Sequence, residues 1–239
     1  MRPLKIAVIP GDGIGKEVMP EGLPVLEAVG GLHGIEFLYR EFDWSCEYFV
    51  RTGAMMPEDG IEQFRDFEAI YPGAVGFPGV PDHVSLWGLI IPIRREFDQY
   101  VNLRPVRLFE GVPCPLADKR PGDIDFLVVR KNVEGEYSPI GGIQYEGTDA
   151  EQVLQQSVFT RKGVDRILRY AFERANARNA RHLTSATRAN GIVHSMPYWE
   201  DRVSEISKPY PGHGRERQYP RTRQSHRRFT SLGENNPRI

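Results

Sequence analysis

Lys5–Val29, KIAVIPGDGIGKEVMPEGLPVLEAV, decides the fold class. Its first six residues are a short apolar run that suits a buried strand. Gly11-Asp12-Gly13-Ile14-Gly15 then makes a glycine-rich turn, and Lys16–Val29 has helical character interrupted by Pro20 and Pro24. Strand, tight turn and helix in that order open a βαβ unit. The turn also lets a ligand come close to the backbone. It is not the dinucleotide fingerprint, because Lys16 stands where the third glycine belongs.

The same alternation continues outward. Ile35–Phe42 reads as a second strand, Trp44–Thr52 as a connector or short helix, and Pro57–Phe67 as a helix. Ala69–Phe77 is a strand that runs into a second small-residue loop, Gly73-Ala74-Val75-Gly76. Ile124–Val129 is a buried strand ending in Arg130. Pro139–Thr148 is rich in glycine and suits an arm or hairpin. Ala150–Ala177 shows helical periodicity through Val153, Leu154, Val158, Val164, Ile167, Leu168 and Phe172. Arg181–Thr187 is a further strand, and Pro197–Ile206 an acidic amphipathic helix. Beyond Ile206 no strand or helix is legible. The expectation is an α/β fold with a largely parallel sheet flanked by helices, incomplete at the C-terminus.

Ser85–Arg107, SLWGLIIPIRREFDQYVNLRPVR, gathers Arg94, Arg95, Arg104 and Arg107 beside the apolar run Leu89-Ile90-Ile91. The guanidinium fork matches a carboxylate and keeps its charge at any working pH. A solvated helix face is the plainer reading of such spacing. Leu103-Arg104-Pro105-Val106 reads as an exit from a helix into a strand, since the residue before proline avoids the helical region. That exit would set Arg104 ahead of its strand, beside the end of the helix carrying Arg94. Parallel sheets bind ligands at the C-terminal ends of their strands, where Arg130, the Gly73–Gly76 loop and Arg188 would stand. Tyr137, seven residues after Arg130, fits a polar cleft or an ordinary half-buried tyrosine.

Composition bounds the rest. The 239 residues are 40% hydrophobic and 26% charged, ordinary for a soluble globular chain. No apolar run is long enough to span a membrane, no secretory signal opens the chain, and Cys46 and Cys114 lack metal-type spacing. A cytoplasmic location is expected. Residues 207–239 hold eight Lys and Arg against two Asp and Glu, a net of +6, which leaves −7 for residues 1–206. Nucleic acid is not expected as a partner, because the body is acidic and the basic tail has no aromatic ladder. The tail reads as disordered.

Taken together, IAVIPGDGIGKEV, GAVG, LRPVR, VVRKNVEGEYSPIGG and TSATRANG resemble the β-decarboxylating dehydrogenases, the isocitrate and 3-isopropylmalate dehydrogenase family. DHVSLWGLIIPIRREFDQYVNLRPVR and MPYWEDRV are similar to its tartrate and D-malate branch. The resemblance covers about residues 4–206, so residues 207–239 are set apart as a non-homologous basic tail. It implies NAD-dependent oxidation and β-decarboxylation of a (2R)-hydroxy dicarboxylate such as D-malate or tartrate, assisted by Mg2+ or Mn2+, in a homodimer. By the same resemblance Arg94, Arg104 and Arg130 clamp carboxylates and Ile90 and Ile91 face the substrate's γ-substituent. Gly73, Ala74, Val75 and Gly76 lie near the nicotinamide, Asn190 lies near its ribose, and Tyr137 protonates the enol.

Two departures from the family pattern stand out. The family's lysine base falls on Arg188, and arginine is a poor base because it keeps its proton. The family's chain also continues past Ile206 with acidic metal ligands of D-x-x-x-D type, and residues 207–239 contain no aspartate. The expectation is a truncated or frame-shifted member with an impaired proton-abstraction step and no metal ligands of its own. The alternative is an inactive remnant that keeps a carboxylate pocket or a dimer surface.

Overall fold

The computed structural model describes residues 3–178, 182–187 and 189–210 in full, and the backbone of 214–218. The chain forms two compact units, Met1–Asp98 and Gln99–Ile239.

Unit 1 is built on three parallel strands in the order β2-β1-β3: β1 is Leu4–Ile9, β2 Phe37–Glu41 and β3 Ala69–Pro72. Helix α1, Ile14–His33, links β1 to β2 and runs without a break through both prolines. The expected interruption is absent because Pro20 and Pro24 are exposed and four residues apart. The carbonyls of Lys16 and Pro20, which lose their N–H partners, can therefore turn to water. Helix α2 is Cys46–Thr52, capped by Ser45, whose Oγ accepts from Tyr48 N at 3.1 Å. The helix expected over Pro57–Phe67 shortens to α3, Gly60–Gln63.

After β3 come α4, Asp82–Ser85, a π-turn over Leu86–Ile90, and α5, Ile91–Glu96. The N–H of Ile91 bonds to Leu86 O, five residues back. Pro92 follows directly and has no N–H to restore the ordinary ladder, which favours such a bulge. An aromatic cluster fills the core, with Phe42, Trp44 and Phe64 rings 4.6–5.1 Å apart among Ala7, Ile9, Leu89 and Ile93.

Unit 2 begins with β4, Val101–Arg107, paired antiparallel with β5, Asp125–Lys131. Arg104 thus stands inside its strand rather than ahead of it. Pro105 misleads the sequence reading, yet it is tolerated opposite Leu127 in a two-stranded ladder, where a missing N–H can face outward. β6, Gly141–Gln144, and β7, Gln152–Gln155, form a hairpin that reaches past the Pro139–Thr148 stretch expected to hold one.

Helix α6 is Arg161–Asn176, so the helical reading of Ala150–Thr160 is corrected. Val153 and Leu154 lie in β7, and Thr160 caps α6 by accepting from Gly163 N at 3.1 Å. β8, His182–Ala186, and α7, Ser195–Ile206, follow. A ninth strand, Gly214–Gln218, lies parallel to β8, where the sequence showed none. Parallel pairing among the described strands is therefore β1 with β2 and β3, and β8 with β9. The α/β class stands, with antiparallel ribbons in unit 2. Val164, Leu168, Phe172 and Ile206 form its core, and Asp165 between α6 and α7 takes Arg202 Nε at 2.6 Å and Nη2 at 2.9 Å.

Candidate functional site

In unit 1 the two glycine-rich loops meet at the C-terminal ends of β1 and β3. Asp12 N donates to Ala74 O at 2.7 Å and Gly73 N to Ile9 O at 2.7 Å. A Cβ on Gly11 would strike Ala74 O, and one on Gly73 would strike Pro10 O. The loops therefore require glycine where they touch. Asp12 is 1% exposed, and its carboxylate accepts from Cys46 N, Glu47 N and Gly76 N at 3.0–3.2 Å. Burial pushes its pKa up, but the backbone donors outweigh that and hold it below the usual carboxylate value. Burial and the neighbouring Asp12 push the Cys46 thiol up to about 11.

This carboxylate ties the Gly73–Gly76 loop to the glycine turn and to the start of α2. Sequence reasoning passed over it, since its partners are 34 to 64 residues away. Gly13 and Gly76 face open space where a side chain would meet nothing. Arg94 stands in the last turn of α5, Ile90 is half-buried at the end of the π-turn, and Ile91 is buried.

In unit 2 the register of β4 and β5 puts Arg104 and Arg130 on one face. Asn102 lies opposite Arg130 and Arg104 opposite Val128, so residues 102, 104, 128 and 130 share one face. The Arg130 guanidinium sits 5.4 Å from the centre of the Tyr137 ring. Arg107 and Arg178 both pair with Asp125. Arg104 and Arg130 have no carboxylate partner among the described residues, although Arg130 is half-buried. Two guanidiniums without a carboxylate partner on one strand face, one of them over the Tyr137 ring, suit an anion.

The loop between Arg130 and Tyr137 is held from behind. Lys131 Nζ lies 2.6 Å from Glu134 Oε2 and 4.4 Å from the centre of the Phe159 ring. Glu134 in turn accepts from Thr160 Oγ1 at 2.6 Å and Thr160 N at 3.0 Å, at the start of α6. Burial lowers the pKa of Lys131, with the nearby Glu134 carboxylate opposing it.

Asn190 is exposed and lines a cavity of about 510 Å3 with Ala189, Pro197 and Glu200. Arg188 lies outside the described residues. On the preceding strand side, Thr187 Oγ1 donates to Glu200 Oε1 at 2.6 Å and Ser185 Oγ accepts from Trp199 Nε1 at 3.0 Å. Among the described residues no three His, Cys, Asp or Glu side chains cluster to hold a metal ion. No described helix is long and apolar enough to cross a membrane.

The fold places the chain among α/β proteins shaped like isocitrate dehydrogenases. The solved isocitrate dehydrogenase of Methylococcus capsulatus superimposes with a TM-score of 0.74 at 27% identity, covering 90% of this chain and 60% of that one. The family model described as isocitrate/isopropylmalate dehydrogenase matches residues 5–226, and the chain belongs to that family.

Two relatives sharpen the branch. The chain is 61% identical over 213 residues to "D-malate dehydrogenase [decarboxylating]" of Escherichia coli (strain K12), covering 88% of this chain. It is 57% identical over 209 residues to "Tartrate dehydrogenase/decarboxylase" of Pseudomonas putida, covering 87% of this chain. It spans 59% and 57% of their lengths.

Proposed function

We propose that this chain carries the carboxylate-binding machinery for NAD-dependent oxidation and decarboxylation of a (2R)-hydroxy dicarboxylate such as D-malate or tartrate. The observation that carries the reading is the uncompensated pair Arg104 and Arg130 on one strand face, with Tyr137 beside Arg130. The names of the relatives support the same substrate class.

In this reading Arg104 and Arg130, on one face of the β4–β5 ribbon, hold the carboxylates. Clamping fixes the bond to be broken, which is much of the rate gain for such a reaction. Tyr137 donates its phenolic proton to the carbon that has lost its carboxylate. NAD would supply the hydride acceptor for C2, and in unit 1 the Gly73–Gly76 loop would hold its nicotinamide end. The described residues do not provide a donor set for Mg2+ or Mn2+, so no step is assigned to a metal. A cytoplasmic homodimer belongs to this reading as well.

The competing reading is an inactive remnant, and Arg188 favours it. Position 188 should take the hydroxyl proton from C2, and a guanidinium cannot accept it at working pH. The test measures D-malate binding by calorimetry and NAD reduction by absorbance for the wild type, Arg188→Lys, Arg104→Lys and Arg130→Lys. Binding that weakens about tenfold or more in both strand variants supports the carboxylate site. Turnover that rises with Arg188→Lys assigns the lost base to that position. Binding with no turnover in either form supports the remnant. No D-malate binding at all rejects the site.

A further inference from the structure

We infer that Asn102 and Asn132 form an amide relay that aims the Arg104 guanidinium at its anion, making both asparagines positioning residues for carboxylate binding. This rests on the carboxylate reading given above and goes beyond it in naming what sets the arginine's angle. Asn132 Nδ2 donates to the backbone carbonyl of Gln99 at 2.9 Å. Asn132 Oδ1 accepts from Asn102 Nδ2 at 3.4 Å. Asn102 Oδ1 accepts from Arg104 Nε at 3.1 Å.

The two ends fix the direction of the chain. A backbone carbonyl can only accept and a guanidinium can only donate, so each amide has one orientation that satisfies both neighbours. Reversing either would set donor against donor or acceptor against acceptor. The backbone adds its own tie, since Asn132 N donates to Tyr100 O at 3.2 Å, one residue beyond the end of the β4–β5 ladder.

The consequence lies at the far end of Arg104. With Nε occupied by Asn102, the side-on edge of the fork is taken, and the two terminal nitrogens remain. The arginine therefore presents its end to a carboxylate, the arrangement that gives two parallel N–H···O bonds. Asn102 also lies directly opposite Arg130, so the relay shares a strand face with both arginines. A surface arginine samples many rotamers, and a ligand must stop that motion at an entropic cost. The relay removes part of that cost before the ligand arrives.

The test uses the full chain labelled with 15N at arginine. The Arg104 Nε–H resonance, assigned by its loss in Arg104→Lys, should exchange slowly with solvent in the ligand-free wild type. Asn132→Ala does not touch the anion. It should speed that exchange and weaken D-malate binding by up to about tenfold, the scale of one net hydrogen bond. Asn102→Asp keeps an acceptor for Nε, so it should retain slow exchange while losing affinity through its added negative charge.

A fast-exchanging Nε–H in the wild type overturns the relay without any variant. So does an Asn132→Ala chain that binds D-malate as tightly as the wild type while Arg104→Lys binds weakly. Should Arg104→Lys and Arg130→Lys both bind like the wild type, the carboxylate reading falls and the positioning role falls with it. Slow Nε–H exchange would then mark a purely structural hydrogen bond.

Discussion

Helices α1 and α6 are the two longest helices among the described residues, and they treat their apolar residues in opposite ways. In α6, Val164, Ile167, Leu168, Ala171, Phe172 and Ala175 are all buried. In α1 only Gly15, Met19 and Gly30 are buried, while Ile14, Val18, Val25, Val29 and Leu32 are exposed, Leu32 at 82%. Those five positions step by four, seven, four and three residues, which traces one stripe along a helix. Unit 2 supplies α6 with partners from α7 and the strands; unit 1 supplies none for the outer stripe of α1. Helical periodicity is therefore a statement about two possible faces. Only packing shows which of them the described chain can cover.

The largest effect should come from breaking the covered helix. Phe172 is fully buried and stacks on Tyr210 with centroids 5.2 Å apart. Phe172→Ala should cost about 3–5 kcal/mol, from lost burial plus the cavity left behind. Urea unfolding of unit 2 checks it, and a loss under about 1 kcal/mol would mean that the α6 face is not a true core.

A second, smaller effect asks how α1 is held if its outer stripe does no work. Its attachment then rests on Met19, on the close approach of Gly15 to the Ala74 backbone, and on the Asp12 carboxylate just before it. Asp12→Asn should lower the stability of unit 1 by about 2 kcal/mol at neutral pH, the scale of charged hydrogen bonds. The pH dependence has a definite sign. Asp12 is held below the usual carboxylate pKa in the folded chain. Its contribution is therefore complete above about pH 4, near the unfolded value, and fades as the pH falls through the lowered one. The gap between wild type and Asp12→Asn should narrow in acid. A gap independent of pH would show that the hydrogen bonds act without the charge.

The contrast also explains what the sequence made legible. The strand–turn–helix opening, the Gly73–Gly76 loop and the core positions of α6 could be read because each depends on near neighbours. Val153 and Leu154 were drawn into α6 because two more apolar residues extend a helical count equally well. The hairpin that claims them is set by pairing with Ile143 and Gly142. The capping signal at Thr160 marked the true start. Arg104 and Arg130 could be proposed as a pair, but their common face follows from a register that places Asn102 opposite Arg130. The role of Asp12 depends on Cys46, Glu47 and Gly76, and no local pattern in the chain announces those contacts.

The smallest effect is the one that tests the uncovered stripe itself. Leu32→Lys should change stability by no more than about 0.5 kcal/mol, because the side chain is largely in water and the two residues have similar helix propensity. Its effect should appear in association instead. A stripe along 20 residues runs roughly 30 Å, long enough to act as a contact surface for more protein. Val25→Lys with Leu32→Lys should then reduce self-association in sedimentation at high concentration while leaving the urea midpoint in place. If the double variant instead unfolded as readily as Phe172→Ala, the stripe would be packed within unit 1, and the difference between the two helices would lie in composition rather than in cover.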